Sequence, residues 1–216
     1  MRWVLGIGIV WVVAGCPGTT PEVPDAPDAP ATNPGLILTW DAKPVIPGPV
    51  TSEESIKDVK FRTENLRVVG DAGPGDPRTQ VGSLELDWDD DGVPPVVMFP
   101  DAPAGLYSQV VLKLEGEEDE AYRIRGTADV SGTPVEFTIE DDEGLSIVIG
   151  CSVQLQAGEQ KTLHVEIDFG DAINSVDFST LPLVDNRRVL EPGDPQMPAF
   201  RTKLMQSFSV QDSGAR

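Results

Sequence analysis

A run of six residues, Asp87-Trp88-Asp89-Asp90-Asp91-Gly92, places carboxylates at alternate positions before a glycine. This order matches the first half of a calcium loop, in which alternate side chains supply oxygen ligands and the glycine permits a sharp turn. The second half does not match, because Met98 stands where the loop needs a bidentate glutamate. Two interpretations stay open: an acid-rich hairpin turn, or a calcium site that other loops complete. The candidate ligands are Asp87, Asp89, Asp90 and Asp91.

Other carboxylates form a second choice of metal site within predicted turns. These residues are Glu117, Glu118, Asp119, Asp141 and Asp142. Separately, His164, Glu166 and Asp168 occupy alternate positions of a predicted strand, so they share one face at a spacing of about 6.8 Å. Bonds from a metal to its ligands are only about 2 Å long, so this spacing favours a solvated polar face over a metal site.

Signatures of the common catalytic groups are missing from the sequence. His164 is the single histidine, which leaves little material for a histidine-based triad or a two-histidine zinc site. Neither the G-x-S-x-G nor the H-E-x-x-H pattern occurs. Cys151 shares a predicted strand face with aliphatic residues, so we expect a buried and inert thiol. The sequence therefore indicates a protein that is not an enzyme.

The N-terminus carries a short apolar leader. Met1-Arg2 precedes eleven apolar residues, Trp3–Val13, and the small residues Ala14 and Gly15 then precede Cys16. A helix needs about 20 apolar residues to cross the hydrocarbon core, so this run is too short to remain as a membrane anchor. An ordinary secretory signal or an apolar cytosolic terminus is the alternative.

This arrangement resembles the signal peptide and lipobox of a bacterial lipoprotein. The resemblance implies that residues 1–15 are removed, that diacylglycerol alkylates the Cys16 thiol, and that the new amino group is acylated. Two or more acyl chains anchor a protein stably, since each buried CH₂ contributes about 0.8 kcal/mol. Pro17 follows the cysteine where an aspartate would resemble an inner-membrane retention signal, so we expect lipid anchoring in the outer membrane of the cell envelope.

Residues 16–35 comprise the cysteine and a proline-rich tether. Pro21, Pro24, Pro27 and Pro30 recur every third residue, the period of a polyproline II helix, which predicts a stiff spacer of about 3.1 Å per residue. A disordered tail is the alternative and would still act as a tether.

Charge limits the partners of the mature chain. Loss of Arg2 with the leader leaves 15 basic and 36 acidic residues, a formal net charge of −21. This balance argues against nucleic-acid binding and against lying flat on anionic lipid. If Cys16 is alkylated, Cys151 has no partner within the chain, so the monomer holds no structural disulfide.

From Leu36 onward, apolar and polar residues alternate in short runs separated by Gly, Pro, Asp or Asn. This period of two predicts an all-β domain over residues 36–181, an antiparallel β-sandwich of about eight to nine strands. Residues 182–216 are expected to form a C-terminal extension with a short helix at 198–208. Apolar residues recur there at intervals of four behind a proline that suits an early helix position.

The segment Phe99-Pro-Asp-Ala-Pro-Ala-Gly-Leu-Tyr107 leads into an alternating strand, and Ile167-Asp168-Phe169 closes the predicted domain. Together they resemble a family of uncharacterised bacterial lipoprotein domains over about residues 36–181. The resemblance implies a sandwich of the transthyretin or immunoglobulin type and brings no catalytic residues.

Strand direction makes a prediction about charge. If consecutive strands run antiparallel, alternate turns lie at opposite ends of the sandwich. The acid-rich turns are 89–92, 115–120 and 140–143, and the acid-poor turns are 100–105, 131–134 and 157–160. We therefore expect one acidic pole, facing away from the membrane, that attracts divalent cations. The alternative is that turns collect charge for solvation alone.

These features predict an envelope-anchored lipoprotein that acts as a non-catalytic binding or adhesion module. Calcium is the candidate cofactor, and the ligand is an unknown protein or glycan. The alternative is a structural envelope component that assembles through exposed β edges. We expect contact with the membrane through the lipid anchor, no binding to nucleic acid, and a monomer or weak self-association.

Overall fold

A computed structural model describes residues 35–71, 73, 75–90, 92–116 and 120–212. The leader, Cys16 and the tether up to residue 34 lie outside this part of the chain. Within it the chain is mostly β, with thirteen strands in two open sheets. The strands are β1 (Gly35–Lys43), β2 (Gly48–Pro49), β3 (Glu54–Gly70), β4 (Gln80–Trp88), β5 (Val97–Phe99), β6 (Gly105–Leu114), β7 (Tyr122–Val130), β8 (Thr133–Asp141), β9 (Leu145–Leu155), β10 (Gln160–Asp168), β11 (Leu183–Val184), β12 (Arg187–Leu190) and β13 (Phe208–Asp212). The helices are α1 (Gly170–Ile173) and α2 (Met197–Gln206), and Pro77–Thr79 forms a 3₁₀ turn.

Strand number and direction differ from the sequence prediction of eight to nine antiparallel strands. Each sheet contains a parallel pair, β1 with β10 and β8 with β12. A parallel pair requires a long connection, and here the intervening strands supply it. Two of the additional strands, β2 and β11, are only two residues long, so they produce no alternating pattern in the sequence.

Strand β3 organises the nine-stranded sheet. Strand β4 pairs with one edge of β3, and strands β6 and β7 lie end to end along the other. The junction is at Arg62, whose N–H donates to the carbonyl of Ala121 and whose carbonyl accepts from the N–H of Glu115, each at 3.0 Å. Both β6 and β7 are antiparallel to β3, so they run in the same direction and no hairpin joins them.

Strands β8 and β9 repeat this arrangement one position further out. Strand β8 pairs with β7, strand β9 pairs with β6, and both pairs are antiparallel. The chain segment between β8 and β9 therefore also lies part-way along the sheet. The N–H of Ala121 donates to the carbonyl of Asp141 at 2.7 Å. This bond holds the start of β7 beside the end of β8.

This geometry corrects the prediction that the acid-rich turns share one end. Glu115 and Ala121, which flank the first of these turns, hydrogen-bond to Arg62 in the middle of β3. Asp141 pairs with Tyr122, the partner of Phe61, and Trp88, just before the turn at 89–92, pairs with Val59, so all three turns begin near the same level. The acid-poor turns lie at both ends, because turn 131–134 follows the partner of Glu54 whereas turn 100–105 precedes the partner of Gly70. The prediction was wrong because it assumed a hairpin at every turn.

The four-stranded sheet has the order β13-β10-β1-β5, and one hydrophobic core joins it to the larger sheet. Phe61 of β3 is fully buried, and its ring centroid lies 6.0 Å from those of Phe169 and Phe208, which flank the small sheet. Trp88 packs edge-on against the same ring at 5.9 Å. Burial of these aromatic rings stabilises the contact between the two sheets.

The C-terminal residues are part of both sheets, whereas the sequence prediction ended the β domain at residue 181. Strand β12 pairs with β8, and β13 pairs with β10. Helix α2 buries Met197, Phe200 and Leu204, which recur at helical spacing. Phe208 belongs to β13 and not to the helix, but it is also buried. In the part of the chain described, the helices are too short or too polar to span a membrane.

Candidate functional site

A polar cleft of about 540 Å³ lies beside the C-terminal end of strand β10. Its walls come from β10, from α1, and from the junction of α2 with β13. The residues with charged or amide side chains are Glu166, Asp168, Asp171, Asn174, Lys203 and Gln206. The volume is typical of small-molecule sites, but such sites usually have apolar walls. Polar walls suit a ligand that is held by hydrogen bonds and charge.

Strand β10 directs two carboxylates toward this cleft. Leu163, Val165 and Ile167 are fully buried, which turns the intervening residues outward. The predicted polar face of His164, Glu166 and Asp168 is therefore confirmed. At the end of the strand, the N–H of Gly170 donates to Oδ1 of Asp168 at 3.0 Å and turns the chain into α1.

Negative charge exceeds positive charge at the cleft. Glu166 accepts a hydrogen bond from Nζ of Lys43 at 2.9 Å, and this bond raises the pKa of Lys43. Nζ of Lys203 lies 4.0 Å from Oδ2 of the largely exposed Asp171. Asp168 adds a third carboxylate to the lining. The cleft therefore attracts a cation more strongly than an anion.

His164 lies on β10 two residues before Glu166, the first residue of that strand to line the cleft. Its Nδ1 is 2.8 Å from the hydroxyl of Thr39 and 3.7 Å from Oδ2 of Asp41. These contacts hold the ring on the polar face, and His164 is not among the residues that line the cleft. In the described residues, no group of three or more His, Cys, Asp or Glu side chains is placed to hold a metal ion.

The residues of the predicted calcium loop follow the end of β4. Asp87 is half-buried opposite Lys60 of β3, and burial, followed by repulsion from Asp89, raises its pKa. Asp89 and Asp90 continue into a bend, and Asp90 is exposed. Asp91 lies outside the described residues. The described carboxylates of this loop do not form a ligand set.

The second-choice metal residues divide into two groups. Glu117, Glu118 and Asp119 lie outside the described residues. Asp142 is exposed, whereas Asp141 is buried.

Asp141 has partners at both carboxylate oxygens. Its Oδ2 accepts from Nε of Arg201 at 2.6 Å and from the hydroxyl of Tyr122 at 2.7 Å, and Oδ1 accepts from a terminal nitrogen of Arg201 at 2.7 Å. The backbone N–H of Glu143 also donates to Oδ1. Burial opposes the charged form, but these donors outweigh it and lower the pKa of Asp141. This carboxylate therefore acts in an internal ion pair and offers no free oxygen to a metal.

Cys151 is half-buried on β9, and its sulfur lies 3.6 Å from the carbonyl oxygen of Tyr107. Burial raises the pKa of this thiol, which keeps it protonated at neutral pH. Its partial burial and its protonated state both favour an unreactive thiol, as the sequence predicts.

Sequence reasoning missed the residues that the two helices bring to the cleft, namely Asp171, Asn174, Lys203 and Gln206. The apolar spacing of α2 indicated that this helix packs on a core. That spacing carried no information about which strand lies beneath it, so the pairing of Lys203 with Asp171 could not be anticipated.

Comparison with known proteins assigns no family to the chain. The resemblance of the Phe99–Tyr107 segment to lipoprotein domains therefore stays a prediction. No protein-family model matches the chain, and no curated protein or solved structure is significantly similar to it.

Proposed function

We propose that this protein is an envelope-anchored lipoprotein and a non-catalytic binding module whose polar cleft takes a cationic ligand. The leader and Cys16 support the anchor, and the tether supports display away from the membrane surface. The two sheets around one core support a sandwich as the fold type. The observation that carries the ligand class is the set of three carboxylates, Glu166, Asp168 and Asp171, around the cleft.

The charge of the cleft can be changed in both directions by substituting one residue of a neighbouring pair, Lys203 and Asp171. Lys203 lies close enough to Asp171 to offset part of its charge. Lys43 still pairs with Glu166 when that ammonium is removed, but Asp171 then has no neighbouring cation, so the negative charge of the cleft rises and the binding of a cation should strengthen. An anionic ligand would respond in the opposite direction.

The experiment is a titration of the full chain with spermidine and, separately, with calcium chloride. Calcium tests a metal and spermidine tests an amine-bearing ligand, the chemistry that a basic protein partner would also present. Asp171→Asn should weaken binding and Lys203→Gln should strengthen it, measured by isothermal calorimetry. Asp142→Asn, an equal change of charge at an exposed site on the other sheet, should leave affinity unchanged.

Two results would count against the cleft. Equal weakening by Asp171→Asn and Asp142→Asn would mean that the cation responds only to net charge. If neither probe binds at millimolar concentration, the proposal that the cleft takes a cationic ligand is wrong.

The anchor is tested by intact-mass spectrometry and fractionation. Wild-type chain should carry the mass of a diacylglyceryl group and an acyl chain on a polypeptide that begins at Cys16, and it should sediment with outer membranes. Cys16→Ala should keep the leader and lose the lipid mass. Cys151→Ala is the matched control, because it removes the other cysteine and should leave the lipid in place.

A structural envelope role is the second candidate. Strand β11 lies at the end of the nine-stranded sheet, and its Leu183 and Val184 are 56% and 51% exposed. An exposed apolar edge is a template for pairing with another chain. Sedimentation analysis should then reveal concentration-dependent assembly that Val184→Lys abolishes and that Val45→Lys, at an even more exposed valine elsewhere, does not.

A further inference from the structure

A second, smaller pocket of about 100 Å³ opens on the outer face of the nine-stranded sheet, away from its core. Strands β7, β8 and β12 form its floor. Thr138 of β8 stands directly between Arg125 of β7 and Val189 of β12, and Arg187 stands opposite Glu136. Directly opposed residues project from the same face of a sheet, so Arg125, Thr138, Glu136 and Arg187 line the same opening.

The hydroxyl of Thr138 is the unusual group in this pocket. The residue is only 6% exposed, and its Oγ1 has no hydrogen-bond partner among the residues that the structure describes. A buried hydroxyl without a partner is costly, and such groups in native proteins are nearly always satisfied by protein, water or ligand. Thr138 also lines an adjoining cavity of about 230 Å³, so its side chain stands where two openings meet.

The charge of the pocket is opposite to that of the chain. Lys57, Arg125 and Arg187 line it, against the single carboxylate of Glu136. Three cations at one small pocket stand out in a sequence with 16 basic and 36 acidic residues. Behind the lining, Asp58 accepts two bonds of 2.8 Å from Nε of Arg125.

The contact with Asp58 orients the Arg125 guanidinium without using all of its donors. Both bonds come from Nε, and a guanidinium has four further N–H donors on its terminal nitrogens. The exposed side chain of Arg187 approaches from the opposite strand. Glu140 and Glu191 line the adjoining cavity and would repel an anion there, which confines an anion to the smaller pocket.

We propose that this pocket binds a phosphate group, held by Arg125, Arg187 and Lys57 and by a hydrogen bond from the hydroxyl of Thr138. Guanidinium groups match the geometry of phosphate oxygens and bind them bidentately. The donors come from four strands, Lys57 from β3, Arg125 from β7, Thr138 from β8 and Arg187 from β12, which suits an anion with several acceptor oxygens such as phosphate. The site lies on a different sheet from the acidic cleft, so it is independent of the proposed function.

The test is a titration of the full chain with inorganic phosphate. Binding is monitored through the NMR chemical shifts of the Thr138 and Gly126 amides and through the change in Tm. Glycerol phosphate forms a second arm, since it represents a phosphate carried by a lipid headgroup. Tighter binding of glycerol phosphate would identify the headgroup as the source, and tighter binding of inorganic phosphate would identify the free ion. Acetate, a planar anion, should bind more weakly than either.

Three variants make the proposal falsifiable. Arg187→Gln should weaken phosphate binding about tenfold, the loss expected for one charge-assisted hydrogen bond. Lys161→Gln, the same change of charge on the other sheet, should have no effect. Thr138→Val should raise Tm without phosphate, because it removes the unpaired hydroxyl, and should reduce the phosphate-dependent rise in Tm.

Retention of the full phosphate response by Thr138→Val would overturn the proposal. Equal weakening by Arg187→Gln and Lys161→Gln would also overturn it, because the response would then reflect net charge alone. Variants of the acidic cleft such as Asp171→Asn should leave phosphate binding unchanged, which keeps the two sites distinguishable.

Discussion

Arg201 of helix α2 donates hydrogen bonds to both carboxylate oxygens of Asp141, the last residue of strand β8, across a separation of 60 residues in sequence. The Asp141 side chain is fully buried and that of Arg201 is 16% exposed. The third nitrogen of the guanidinium contacts Glu143 at the surface. This ion pair fixes the helix against the point where β8 and β9 meet end to end.

Breaking the pair from one side should destabilise the protein strongly. Arg201→Met leaves the Asp141 carboxylate buried without its cation, so we expect a loss of about 3–5 kcal/mol in the free energy of unfolding, measured by urea denaturation. Glu143→Gln removes only the exposed partner of the same guanidinium and should cost less than about 1 kcal/mol. Similar losses for these two variants would mean that the buried pair contributes little.

The same ion pair predicts a pH dependence. The pKa of Asp141 is lowered in the folded state, from an ordinary value of 3.8. A carboxylate of this kind stabilises the fold at pH values above its unfolded pKa, and the contribution is lost as pH falls through the folded pKa. The stability advantage of wild type over Asp141→Asn should therefore be constant near neutral pH and shrink below about pH 4. An advantage that grew on acidification would contradict the assignment.

Asp87 should behave in the opposite way. Burial and the neighbouring Asp89 raise its pKa, so its charged form destabilises the fold at neutral pH. Asp87→Asn should raise Tm at neutral pH, and the gain should disappear as pH falls and the wild-type carboxyl becomes protonated. Glu85→Gln is the control, because Glu85 lies on the same strand as Asp87 but is more exposed and pairs with Lys60 of β3, so it should give no such gain.

The alternating pattern of single strands was predictable because each strand buries one face. Leu163, Val165 and Ile167 are all fully buried, as the period of two requires. Strand direction was not predictable, because the sequence between β6 and β7 has the glycine and charge of a hairpin turn. The strands on either side of it run in the same direction, and the residues that flank it, Glu115 and Ala121, hydrogen-bond with the backbone of Arg62 of β3, more than 50 residues away in sequence.

Only the cleft residues that lie on strand β10 could be predicted from the sequence. Glu166 and Asp168 follow from the strand period alone. Lys203 and Asp171 meet there because α2 packs against α1, and the same helix is tied to the larger sheet by the buried pair of Arg201 with Asp141. Neither Arg201 nor Asp141 has a sequence neighbour that reveals its partner.

The thiol of Cys151 should be slow to react. Burial raises its pKa, and the thiolate is the reactive form, so little of it is present at neutral pH. In a Cys16→Ser chain, where Cys151 is the remaining cysteine, alkylation by iodoacetamide should be much slower in buffer than in urea. Equal rates, followed by mass spectrometry, would show that the sulfur is accessible in the folded protein.

Two glycines of the larger sheet provide a matched pair for testing the placement of β7 beside β3. A Cβ on Gly126 would collide with the carbonyl oxygen of Ser55 and would lie 2.6 Å from the ring of Phe137, whereas one on Gly150 would meet open space. Gly126→Ala should therefore lower the free energy of unfolding by about 1–3 kcal/mol, the usual cost of overpacking. Gly150→Ala should change stability by no more than about 0.5 kcal/mol. Both variants change the chain entropy of the unfolded state in the same way, so the difference between their free energies of unfolding, measured with denaturant, reports the steric cost. Equal stabilities would mean that Ser55 of β3 does not lie against Gly126 of β7.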